Sequence, residues 1–246
     1  MTSTSKDKGL ASFGGIELPP ATEAVSSFAV ELPQAAIDDL RRRLRAARWP
    51  DRETVDDESQ GVSLARAREL IAYWLDIYDL RKLESRLNAF PHYRTRIDGL
   101  GVHFIHVRSP HPDALPIILS HGWPGSVVEF LDLIGRLTDP VRFGGRAEDA
   151  FHVVVPSLPG FGFSDHPIQQ GWDAERIARA WATLMQRLGY RRWVAQGGDW
   201  GAAVTQVHAK LQPPGLIAAH VNYPMVFPDT LPEHPSAEER AALDVM

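Results

Sequence analysis

The stretch Gln196-Gly197-Gly198-Asp199-Trp200-Gly201 constrains this chain more than any other. It separates a strand-like run, Trp193-Val194-Ala195, from a helix-like run that carries Ala202, Ala203, Val204 and Val207. A glycine two before and a glycine two after a central residue is the spacing of a nucleophile elbow. There, strand and helix pack too closely for side chains, and a strained turn pushes the central side chain outward. The central residue is Asp199. A carboxylate is already an anion at neutral pH and needs no base to make it nucleophilic. The competing reading is a turn-capping Asp, which is common in Asp/Gly-rich turns.

The elbow needs a sheet around it, and the chain offers one. Strand-like Ile117–Ser120 runs into His121-Gly122-Trp123-Pro124-Gly125. A helix follows with Phe130, Leu131, Ile134 and Leu137 inward, opened by a Ser126-x-x-Glu129 capping box. The β-branched run Phe151–Pro156 reads as a strand buried on both faces, and Ser157 to Ser164 is a loop broken by Pro and Gly. A helix is expected over Asp173–Leu188, with Asp173 as N-cap and Gly189 as C-cap. The elbow strand, its helix and a strand near Leu216–Val221 complete an alternation that argues α/β, a mostly parallel sheet wrapped by helices. Open α/β sheets place ligands at the C-terminal ends of their strands. The loop 121–125 and the elbow both fall there, so the backbone N–H groups of Trp123 and Trp200 are the expected oxyanion donors.

Upstream the character differs. Residues 33–90 read as helical, with stripes at Ile37, Leu40 and Leu44, at Leu64, Ile71, Trp74 and Tyr78, and at Leu80, Leu83 and Leu87. Arg48-Trp49-Pro50-Asp51 is the expected end of the first helix, and Trp74 and Tyr78 are expected in the core. Arg41, Arg42, Arg43 and Arg45 read as a solvated helix face. Tyr93–Ile97 and Val102–Val107 read as a hairpin turned at Asp98-Gly99. His103 and His106 alternate faces on that strand, which opposes a shared metal ion.

Composition excludes several classes. A net charge of −5 gives no basic footprint for nucleic acid. The absence of cysteine removes disulfides and thiolate metal sites. The apolar runs are too short for a membrane span. Residues 1–15 are rich in Ser, Thr, Gly and Lys without an apolar segment, so residues 1–27 are read as a disordered leader and the expected location is cytoplasmic.

Five stretches together resemble the epoxide hydrolases of the α/β-hydrolase superfamily, of the microsomal and juvenile-hormone type with soluble bacterial relatives. They are Arg48–Asp51, Leu87-Asn88-Ala89-Phe90-Pro91, His121–Ser126, Pro156–Ser164 and Gln196–Gly201, in family order over nearly all of residues 28–225. The resemblance implies a helical N-terminal region with first strands over 28–110 and an α/β-hydrolase core over 111–225. The start of a lid would follow over 226–246. It implies Asp199 as nucleophile, Trp123 and Trp200 as oxyanion donors, no cofactor and no metal. The partners would be a small apolar epoxide and water.

In family order the lid tyrosines, a second carboxylate and a water-activating histidine follow the elbow. His208, His220 and His234 do not fall where that base belongs, Tyr223 matches neither tyrosine, and His121 reads as a shaper of its loop. The chain is therefore expected to be a C-terminally truncated epoxide hydrolase, prone to self-association, that is alkylated on Asp199 without turning over. Two alternatives stay open, a haloalkane-dehalogenase-like hydrolase and a non-catalytic remnant that binds apolar ligands or a partner. Asp199 disfavours a serine esterase.

Overall fold

The computed structural model describes residues 12–13, 16–224 and 235–243. Strands β1 (Ser12–Phe13) and β2 (Ile16–Glu17) form a small antiparallel pair. The main sheet contains β3 (Ser26–Phe28), β4 (His92–Ile97), β5 (Leu100–Val107), β6 (Leu115–Ser120), β7 (Phe151–Pro156), β8 (Trp193–Gly197) and β9 (Leu216–Val221). Their order is β3-β4-β5-β7-β6-β8-β9. The sheet is mixed. β3, β4, β5 and β7 pair antiparallel, while β7, β6, β8 and β9 pair parallel. The parallel half is the one the alternation of strand and helix signals foretells, and it carries the elbow.

The central parallel strands β6, β7 and β8 are covered on both faces, whereas β9 is largely exposed. Ile118, Val154 and Ala195 pack with Ala178, Trp181, Leu184 and Met185 of α5 (Ala174–Arg187) and Val204 of α6 (Trp200–Leu211). Ile117, Leu119, Val153 and Val155 point the other way, onto Phe130 of a 3-10 turn (Val127–Phe130) and onto Leu131 and Ile134. The last two belong to α4 (Leu131–Thr138). Asp173 caps α5 by accepting from the Arg176 N–H, and Asp98 and Gly99 turn the β4–β5 hairpin at φ 49° and 79°.

Three upstream helices, α1 (Gln34–Arg45), α2 (Leu64–Asp76) and α3 (Leu80–Leu87), fall inside the expected helical region. α1 ends at Arg45, short of Arg48–Asp51. Arg42 and Arg43 pair with Asp39 on its solvated face. The stripe on α2 is not core: no residue of that helix is buried, and Trp74 keeps 40% of its surface exposed. Trp74 borders a cavity instead, and Tyr78 is only half-buried. A short seventh helix (Ala237–Leu243) follows a Ser236–Glu239 reciprocal cap.

Part of the expected leader, residues 1–27, is packed against the sheet. Leu18, Ala21 and Val30 are buried and β3 joins the sheet. Arg94, itself buried, donates to the Pro19 carbonyl and to Asp165, and Arg96 donates to the Ala21 carbonyl. The Asn88 side chain clasps Val30 in both directions, accepting from its N–H at 2.9 Å and donating to its carbonyl at 2.7 Å. Polar straps, more than apolar periodicity, fix this segment. Replacing Asn88 by Ala leaves two part-buried backbone groups of Val30 without partners, at a cost of about 1–3 kcal/mol. Asn88→Ala is expected to lower the melting temperature and to speed amide exchange over residues 18–32 while β6 and β8 keep their protection. Unchanged exchange at 18–32 would contradict the strap.

Candidate active site

The site is assembled where β6 and β8 end side by side, with Ser120 opposite Gly197 in the parallel register. Tight approach is obligatory there. A Cβ on Gly201 would stand 2.0 Å from the Ser120 carbonyl oxygen, and one on Gly197 would stand 2.1 Å from the Gly201 carbonyl oxygen. These contacts let α6 start directly against the β6 loop. Asp199 takes the strained position between strand and helix, at φ 52° and ψ −127°. A non-glycine residue in such a region costs on the order of 1–3 kcal/mol and persists only where its surroundings enforce it.

The Asp199 side chain makes no cap to its own helix. It reaches across to the other loop, where Oδ1 accepts the Trp123 N–H at 2.8 Å. That donor, followed by the Trp200 N–H, holds the carboxyl below its ordinary pKa of 3.8. The N-terminus of α6 acts in the same direction through its partial positive charge. The turn-capping reading of Asp199 therefore loses to one in which two loops share a carboxylate. Gly122 makes room for it, since a Cβ there would lie 2.5 Å from Asp199 Cβ and Oδ1. The structure thus brings Asp199, Trp123 and Trp200 together, with the indoles of Trp123 and Trp200 exposed.

His121 shapes the loop, as the sequence suggests. Its Nε2 accepts the Leu158 N–H at 3.0 Å and its Nδ1–H donates to the Gly122 carbonyl at 2.9 Å. It ties the β6 loop to the loop after β7. That second loop is held in turn by a buried chain of His92, His103 and Ser157. His92 Nε2–H donates to the Leu87 carbonyl, so its Nδ1 accepts from His103 Nε2–H at 2.8 Å. His103 Nδ1 then accepts from Ser157 Oγ–H at 2.9 Å. His106 faces elsewhere, toward the Tyr190 hydroxyl. No spacing rule in the sequence pairs residues 92, 103 and 157.

Among downstream histidines, His208 is buried on α6 and donates Nε2–H to the Ala178 carbonyl, and His220 lies on β9. His234 lies outside the described residues, and Tyr223 is exposed. A cavity of about 540 Å³ lies between α1–α3, the β6 loop and the loop after β7. Leu32, Ile37, Trp74, Leu83, Val127 and Phe163 are among its walls, and Pro124–Ser126 of the donor loop forms one side. Among the described residues no helix is long and apolar enough to cross a membrane.

A mixed α/β sheet with an acidic elbow and a facing backbone donor defines an α/β-hydrolase, and the α/β hydrolase fold model matches residues 116–221. The model for the epoxide hydrolase N terminus matches residues 25–130. A Stigmatella aurantiaca (strain DW4/3-1) protein that carries the name epoxide hydrolase is 62% identical over 220 residues, covering 89% of this chain and 50% of that protein. Epoxide hydrolase 1 of Sus scrofa is 36% identical, covering 83% of this chain and 46% of its own length. Juvenile hormone epoxide hydrolase from Bombyx mori superposes with a TM-score of 0.72 at 31% identity, covering 82% of this chain and 54% of that one. The chain belongs to the epoxide hydrolase family. It spans about half the length of the curated relatives it matches.

The histidine chain has a consequence for stability. Burial lowers the pKa of His92, His103 and His121 below the ordinary 6.5, and takes His106 and His208 to about 4. The unfolded chain binds more protons than the folded one once pH falls through about 6.5. The stability these groups contribute is therefore full above that pH and lost progressively toward pH 4, each lost proton site adding up to about 1.4 kcal/mol per pH unit. Urea denaturation between pH 7 and 4 is expected to show falling stability, and His103→Gln a shallower fall. An equal slope in both proteins would contradict the buried, neutral pair.

Proposed function

We propose that this chain carries the nucleophilic half of an epoxide hydrolase reaction. An Asp199 carboxylate oxygen attacks an epoxide carbon. The new C–O bond forms as the ring C–O bond breaks, and the ring oxygen takes a proton to become a hydroxyl. Water then adds to the ester carbonyl carbon of Asp199. The resulting oxyanion accepts from the Trp123 and Trp200 N–H groups, donors of a kind worth about 2.7–4 kcal/mol each in tetrahedral intermediates. Collapse returns the carboxylate and releases a vicinal diol. Neither Asp199 nor its two donors supplies the proton to the ring oxygen or activates the water. Those roles fall to other groups.

The single observation that carries this reading is the bond between the Trp123 N–H and Asp199 Oδ1 across two loops. It supports a carboxylate that is kept ionised and aimed, and it gives the same N–H a place at the later oxyanion. The apolar walls of the neighbouring cavity favour an apolar epoxide. The experiment is intact-mass spectrometry after incubation with excess styrene oxide. One adduct of the epoxide's mass is expected, located to residues 193–210 and abolished in Asp199→Asn. An adduct that persists in that variant would sink the assignment.

Self-association is part of the same proposal. Among the described residues β9 pairs on one side only, and Ile217 on it keeps 47% of its surface exposed. Unpaired apolar edge strands recruit other chains. Light scattering is expected to report oligomers that Ile217→Lys shifts toward the monomer. A wild-type monomer at high concentration would contradict this.

A further inference from the structure

The donor loop turns through glycine and proline, and its position relative to Asp199 depends on what anchors its far end. We propose that Glu129 is a positioning residue for the chemistry at Asp199: its carboxylate, seated in the space that Gly125 leaves open, fixes the turn that presents the Trp123 N–H. The inference rests on the function proposed above for Asp199.

Three contacts carry it. Glu129 Oε1 accepts the Ser126 N–H at 3.0 Å. A Cβ on Gly125 would stand 1.4 Å from that same oxygen, so the carboxylate occupies the volume of the missing side chain. The turn itself is closed by the Gly125 N–H donating to the Gly122 carbonyl at 3.0 Å. Trp123, whose N–H meets Asp199, lies inside that turn, and Ser126, whose N–H meets Glu129, directly follows it. The two carboxylates thus hold the two ends of one short loop. A capping box ordinarily starts a helix. Here it opens the 3-10 turn Val127–Phe130, which runs straight into α4, and its acidic member also sits under the donor loop. The groups that act on Glu129 are the Ser126 N–H and the Asp199 carboxylate, and burial together with the Asp199 charge holds its pKa above the ordinary 4.5. Asp199 in turn answers to the Trp123 and Trp200 N–H groups.

Two readouts on the whole chain test this. The first is the titration midpoint of the Asp199 carboxyl carbon by NMR of the ¹³C-aspartate-labelled protein, assigned by loss of the signal in Asp199→Asn. The second is the rate of Asp199 alkylation by styrene oxide. Glu129→Ala removes the anchor, so the Trp123 donor drifts from Asp199. The midpoint is expected to move up with the loss of that donor, and alkylation to slow about tenfold because the carboxylate is no longer held in its attacking geometry. Glu129→Gln keeps an acceptor in place and removes a neighbouring negative charge. Its midpoint is expected at or below that of the wild type, with alkylation within about threefold. Gly125→Ala, which must evict the carboxylate, is expected to reproduce Glu129→Ala and stands in for it if that variant does not fold. An unmoved midpoint in Glu129→Ala or Gly125→Ala, or an upward shift of equal size in Glu129→Gln, would overturn the proposal. If the wild type is not alkylated, the nucleophile assignment fails while the NMR midpoints still decide the role of Glu129.

Discussion

Everything near the site depends on one close approach. Gly201 lies so near the Ser120 carbonyl that no side chain fits between them. This lets the first turn of α6 abut the end of β6 and sets the Asp199 carboxylate within 2.8 Å of the Trp123 N–H. The strain at Asp199 is the counterpart of that approach, because a residue at φ 52° there is tolerated only while strand and helix hold it. The fold thus spends backbone freedom to aim one charged group, and both donors on that charge are peptide N–H groups whose direction is set by backbone alone.

The donor loop has to be held as firmly as the elbow. His121 ties it to the loop after β7, and Glu129 ties its far end through Ser126. The loop after β7 is in turn held by Ser157 on His103 and His92, which ends on the last carbonyl of α3. The N-terminal region is therefore joined to the site by hydrogen bonds among buried groups. There an unpaired polar atom is expensive, so each group's partner fixes its tautomer. Neutral histidines suit that task, and burial keeps them neutral.

The elbow was legible because its cause is local: glycine spacing around Asp199 reports the approach of α6 to β8 within six residues. The central parallel strands were legible because burial on both faces leaves an unbroken β-branched run at 153–155. What escaped was set by distant partners. β3 is short and polar, and it pairs with β4 more than sixty residues later, so nothing in 18–28 announces that it is packed. Trp74 follows a helical stripe, but no residue of α2 is buried, and Trp74 borders a cavity where a core was expected. His92, His103 and Ser157 meet only in three dimensions. Glu129 was visible as a cap, while its place beneath Gly125 was not.

The central claim is that an oxygen of Asp199 becomes an oxygen of the product. It is tested most directly by carrying out a single turnover in ¹⁸O-water, with slow esters released at raised pH. Water that attacks the ester carbonyl leaves its oxygen on the enzyme. The account predicts one ¹⁸O in the tryptic peptide 193–210 and none in the diol. Label in the diol with an unlabelled peptide would mean that water opens the epoxide directly, and would contradict it.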